Sequence, residues 1–206
     1  MPRKPRPLDR DLGVVRDASL IVIASEDTHA VKDYFDRFQP RRVQFRVLPA
    51  ENGQSAPQHI LARLDTYRSE FHLDDDDQLW YCGDTDHWVA ANHVANLVQV
   101  LRRCSQAGYH VALSSPCFEL WLLLHFLDMP PEVESCQDIC RKLSAAAGGY
   151  SKLHGCRTRI TAEMVQKALE RTARLDVGTS DIPTTPTTRI YRIFNILIQR
   201  ESITIN

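Results

Sequence analysis

Residues Ser19–Ser25 read SLIVIAS, an aliphatic, largely β-branched run with no polar face. Such a run suits a strand buried on both faces, which needs covering layers above and below and is at home in a parallel sheet. A second continuous run, Leu79–Cys82 (LWYC), makes the same demand. Val43, Phe45 and Val47 alternate with polar residues up to Pro49, which predicts a strand nearer the sheet edge, and Tyr109–Leu113 supplies a fourth strand. Helical spacing fills the gaps. Ala30, Val31, Tyr34, Phe35 and Phe38 recur on one face until Pro40, with Asp27 or Thr28 as cap; Ile60, Leu61, Leu64 and Tyr67 follow Ser55 and Pro57; Val94, Leu97, Val98 and Leu101 lie in a helix expected over 89–106, closed by Gly108. A very apolar helix is expected from Cys117 to Phe126. Strands alternating with helices predict an α/β fold with a mostly parallel, doubly wound (Rossmannoid) sheet flanked by helices.

At 206 residues the chain is long enough for one sizeable core. Residues 1–18 combine Pro with Arg3, Lys4, Arg6 and Arg10 and show no periodicity, which predicts a basic flexible arm. Residues 19–128 form the expected α/β core. From Met129 onward the pattern turns helical, with helices expected over 134–147, 161–175 (capped by Thr161) and 187–199, so 129–206 reads as a helical extension packed on the core. The acidic run Asp74–Asp77 lacks the alternation and Gly of a calcium loop and reads as a solvated connection.

Twenty-five basic residues balance 26 acidic ones, so no global attraction to nucleic acid or membrane exists and any polyanion site must be local. The apolar run 118–127 is too short to span a bilayer. The amino terminus has no apolar leader core. Six cysteines form no CxxC pair, several lie in apolar elements, and Cys136 and Cys140 stand one helical turn apart, where helix packing explains them better than zinc does. The expectation is a cytoplasmic protein with reduced thiols and no membrane partner.

Gln78–His87 carries the chemistry: an apolar strand, then Gly83 expected to turn the chain, then Asp84-Thr85-Asp86. In open α/β sheets ligands bind at the carboxyl edge of the strands. Glu26 after the first strand, Asp84 and Asp86 after the third, and Glu119 after the fourth would all emerge there. Carboxylates gathered at one edge repel one another unless a cation compensates, and oxygen ligands suit Mg²⁺ or Mn²⁺. The competing reading is that Glu26 and Glu119 merely favour helix amino termini. Lys152, in a Gly-rich turn after Tyr150, is a candidate positive charge for a phosphate. His87 reads as a surface histidine and His125 as a satisfied core residue.

These residues, with SSPCFELWLLLHF (114–126), RKPRPL (3–8), IVIASEDTHAVKDYF (21–35), NGQSAP (52–57), WYCGDTD (80–86), YSK (150–152) and PTTPTTRIYRI, resemble the RloB-like family, whose catalytic region is similar to a divergent Toprim domain of topoisomerases, primases and OLD-type nucleases. The resemblance implies that Glu26 acts as general acid/base, that Asp84 and Asp86 bind Mg²⁺ or Mn²⁺, and that the activity is phosphodiester cleavage of DNA or RNA in prokaryotic anti-phage defence. One departure stands out: Asp27 replaces the family's Gly, and Ala30 and Val31 stand where Thr-Glu would be. That loss favours a rival reading, a non-catalytic nucleic-acid-binding or regulatory subunit working with an ATPase partner, and a homo-oligomer is a further expectation. A third reading is a nucleotide phosphotransferase or phosphatase, since the same edge binds nucleotides in many doubly wound folds.

Overall fold

The computed structural model describes residues 18–38, 40, 42–86, 88, 94–128 and 135–199. The expected arm (except residue 18), the start of the helix expected at 89, His87 and Glu134 lie outside the described residues. Four parallel strands, β1 (Ser19–Ser25), β2 (Val43–Leu48), β3 (Gln78–Asp84) and β4 (His110–Ser115), form the expected sheet. A fifth, β7 (Thr187–Thr188), adds antiparallel to β4, giving the order β2-β1-β3-β4-β7. The described residues also form a two-stranded hairpin, β5 (Tyr150–Ser151) and β6 (Gly155–Cys156), and seven helices: α1 (Ala30–Phe35), α2 (Pro57–Glu70), α3 (Val94–Ala107), α4 (Glu119–Leu123), α5 (Cys136–Ala146), α6 (Ala162–Leu175) and, after β7, α7 (Tyr191–Gln199).

The two-faced burial follows from period-2 alternation. Ile21 and Ile23 of β1 and Trp80 and Cys82 of β3 face a core shared with α1 and α4–α7. Leu20, Val22, Ala24, Leu79 and Tyr81 face the opposite core, built with α2 and α3. The chain therefore leaves β1 toward one face through α1 and leaves β3 toward the other through α3. The adjacent carboxyl ends of β1 and β3 form the switch point of the sheet, the crevice where doubly wound folds take ligands.

Several local expectations are corrected. Helix α1 has His29 at its N-cap position, and Asp27 Oδ1, two residues ahead, accepts the N–H of His29 at 2.6 Å and that of Ala30; the helix ends at Phe35, well before Pro40. Gly83 does not turn the chain: it is a strand residue paired with Leu113, and a Cβ there would lie 2.9 Å from the Tyr81 ring. The apolar helix after β4 is a five-residue α4, preceded by a cis Ser115–Pro116 bond. Asp77 does more than solvate a loop, because its carboxylate accepts the N–H groups of Leu20 and Asp74 at 2.7 and 2.9 Å and ties the start of β1. The helix expected from Thr187 begins at Tyr191, since Thr187 and Thr188 pair with Ser115 and Ser114. Arg189, 4% exposed, fixes that segment: its N–H donates to Leu113 O at 2.8 Å, and its guanidinium reaches Asp176 and the carbonyls of Ser180 and Asp181.

Candidate functional site

Glu26 is the first residue past β1, and its N–H donates to Cys82 O at 3.1 Å, which continues the β1–β3 ladder. Its Oε2 accepts the N–H of Asp84, the last residue of β3, at 3.0 Å. Asp84 Oδ1 in turn accepts the N–H of Phe118 at 2.9 Å. Thr85 and Asp86 donate their N–H groups to Pro116 O at 3.1 and 3.2 Å, so the Asp-Thr-Asp segment is pinned by its backbone to the turn after β4. Glu26, Asp27, Val31, Gly83, Asp84, Ser114 and Phe118 line a small pocket at the switch point. Asp86 is exposed beside it.

The electrostatics concentrate on Asp84. Burial raises its carboxyl pKa well above the usual carboxylate range, Glu26, Glu119 and Asp86 push the same way, and Lys152 opposes them. Glu119, 1% exposed at the start of α4, accepts a hydrogen bond at Oε1 from the Tyr150 hydroxyl at 2.9 Å and pairs there with Lys152 Nζ at 3.4 Å. Burial lowers the Lys152 pKa, but Glu119, Asp27 and Asp84 outweigh it and hold the ammonium protonated. The structure thus brings Glu26, Asp84 and Asp86 to one edge, with Glu119 and Lys152 joined as an ion pair next to them.

Sequence reasoning missed Tyr150 as a site residue, although the YSK motif contained it; the β5–β6 hairpin delivers it to Glu119. It also missed the pairing of two cysteines. Cys117 and Cys136 form a disulfide, with Cα atoms 5.7 Å apart, while Cys82, Cys104, Cys140 and Cys156 are free. The expectation of reduced thiols is corrected for this pair: α4 and α5 pack together, and Cys117, just ahead of α4, meets Cys136, the first residue of α5. Cys117, Glu119 and Cys136 place one ligand-type atom each within 4.8 Å of one another. His125 is a core residue, its Nδ1 2.8 Å from Trp121 O and its Nε2 3.0 Å from the Tyr34 hydroxyl.

A family model described as RloB-like protein matches residues 21–197, which includes every site residue above. The chain belongs to the RloB-like family. No curated protein and no solved structure matches it significantly. In this RloB-like protein, Val31 is 3% exposed and forms part of the pocket wall, so methyl groups stand where the family resemblance expects a carboxylate. Among the described residues no helix is long and apolar enough to cross a membrane.

Proposed function

We propose that this RloB-like protein is a Mg²⁺- or Mn²⁺-dependent nuclease of the Toprim type, acting on DNA or RNA phosphodiesters in anti-phage defence. The observation that carries the reading is the meeting of Glu26 and Asp84 at the sheet switch point, where Lys152 partly offsets the negative charge on Asp84. The donor set fits a hard divalent cation: Glu26, Asp84 and Asp86 are all oxygen ligands, and the Asp84 carboxyl pKa is raised first by burial and then by the neighbouring acids Glu26, Glu119 and Asp86. When bound, such a cation would supply charge neutralisation for phosphate oxygens.

The chain's own groups account for the rest. Asp84 and Asp86 are the residues that would hold the ion, and Asp84 is fixed by the Phe118 N–H. Glu26, oriented by the Asp84 N–H, is the carboxylate that moves a proton at the attacking or leaving oxygen. Lys152 is held toward the site by Glu119 and offers its ammonium to a phosphate. Tyr150 positions Glu119 and acts through it.

The test is cleavage of single- and double-stranded DNA and RNA with Mg²⁺ or Mn²⁺, comparing wild type with Glu26→Gln and Asp84→Asn. Activity that survives both substitutions defeats the enzyme reading. Val31 in the pocket wall favours one alternative, a non-catalytic nucleic-acid-binding or regulatory subunit working with an ATPase partner. That reading expects nucleic-acid binding and no cleavage with either cation.

A further inference from the structure

The two oxygens of Glu119 are unequally provided for. Oε1 has the Tyr150 hydroxyl and Lys152, whereas Oε2 lies 3.7 Å from Cys136 Sγ. In the disulfide that sulfur carries no proton; in the dithiol form its S–H can donate to this buried carboxylate oxygen, and that proton stands where a metal ion would bridge the two.

We propose that the dithiol form of Cys117 and Cys136, together with Glu119, binds one Zn²⁺-class ion, at a site that shares only Glu119 with the groups of the nuclease reading and does not depend on that reading. Two thiolates select a borderline-soft metal over Mg²⁺, and three protein ligands leave a fourth position for water. The geometry is close to what the metal needs. Bond lengths of about 2.3 Å to sulfur and 2.1 Å to oxygen in a tetrahedron put sulfur and oxygen roughly 3.6 Å apart, and Cys136 Sγ already lies 3.7 Å from Glu119 Oε2. The remaining adjustments are at Cys117: once the bond is cut its sulfur must separate from Cys136 Sγ to roughly 3.8 Å while staying beside the Glu119 carboxylate, from which it lies within 4.8 Å. Two equivalents of a low-molecular-weight thiol cleave the disulfide to two cysteine thiols and leave as their own disulfide. The metal then displaces one proton from each sulfur. Metal-bound and disulfide-bonded states exclude each other.

The experiment uses the full chain, reduced with such a thiol, desalted without oxygen and titrated with Co²⁺ as a spectroscopic stand-in for Zn²⁺. Thiol counting after denaturation verifies the starting state: four thiols with the disulfide intact and six once reduced, the difference being Cys117 and Cys136. The expected result is a thiolate-to-cobalt charge-transfer band in the near ultraviolet that saturates at one equivalent and is displaced by Zn²⁺. It is absent from the unreduced protein and from Cys136→Ser. It survives in Asp84→Asn, which separates the sulfur site from the acidic edge. In Glu119→Gln the affinity weakens by at least the roughly tenfold that loss of an outer-shell partner brings. Circular dichroism establishes that each variant is folded. No band in the folded, six-thiol wild type overturns the proposal, as does an unchanged band in Cys136→Ser.

Discussion

The main-chain N–H of Asp84 points at the side chain of Glu26, 3.0 Å from Oε2, so the backbone of one strand end orients the acid that follows its neighbour. Replacing Glu26 by Gln keeps an oxygen acceptor for that N–H. The fold should therefore hold while any chemistry that depends on the carboxylate stops. Asp84→Asn keeps the oxygen that accepts from Phe118 but removes a charge disfavoured by burial and three neighbouring acids. Calorimetry should show Mg²⁺ binding lost in Asp84→Asn, and denaturant unfolding should show the metal-free variant more stable than wild type by about 1 kcal/mol.

Gly83→Ala tests the packing behind the site. The new Cβ would stand 2.9 Å from the ring of Tyr81, which is 1% exposed and enclosed by the α2–α3 core, so the ring has nowhere to retreat. Urea unfolding should register a loss of about 1–3 kcal/mol, the usual range for overpacking. A smaller loss would mean that β3 shifts instead.

Val31→Glu restores a carboxylate to the pocket wall. The acid costs stability in the metal-free protein because it joins Glu26 and Asp84 in a partly dry site. Mn²⁺ affinity measured by calorimetry should tighten, on the order of tenfold for about 1.4 kcal/mol of added ligand energy. Unchanged affinity would place residue 31 outside the ion's reach.

His125 gives a pH dependence that does not involve the acidic edge. Burial lowers its pKa to about 4, from an ordinary value near 6.5 in the unfolded chain. The unfolded state therefore binds the extra proton first as pH falls, and stability is lost between about pH 6.5 and 4, not gained. At pH 5 the loss from this residue is about 2 kcal/mol relative to pH 7. His125→Gln keeps hydrogen-bonding capacity without titrating, so the difference between the two unfolding curves isolates the effect. Parallel curves from pH 7 to 5 would contradict the buried neutral imidazole.

Lys152→Met separates two roles for one ammonium. The side chain is 57% exposed, so its pairing with Glu119 contributes less than about 1 kcal/mol to folding. If it meets phosphate, the salt dependence of nucleic-acid binding should lose about one unit of slope while the unfolding midpoint hardly moves.

The parts of the fold written in contiguous residues were legible. SLIVIAS announces a strand buried on both faces, and Ile21/Ile23 against Leu20/Val22 do face opposite cores. The alternation in Val43–Leu48 suits β2, which is an edge strand. Glu26 and Asp84 were legible as neighbours because parallel topology alone carries them to one edge. What stayed hidden depends on partners distant in sequence. Thr187 and Thr188 look like the start of a helix until Ser114 and Ser115 offer them an open edge. Tyr150 has no reason to touch Glu119, 31 positions away, before the hairpin forms. Cys117 pairs with Cys136 across 19 positions only because α4 and α5 pack together. Gly83 was read as a turn residue when its need is space beside Tyr81.

The short β7 has a consequence for handling the chain. With Arg189 it occupies the backbone groups at the end of β4 that would otherwise be an open sheet edge directly beside the acidic crevice. A fragment cut ahead of residue 187 would expose that edge as a template for strand addition by other molecules, and aggregation would set in at the candidate site itself. The carboxyl-terminal segment is thus an edge guard, and truncation intended to isolate a minimal core would destroy the solubility of what it meant to simplify.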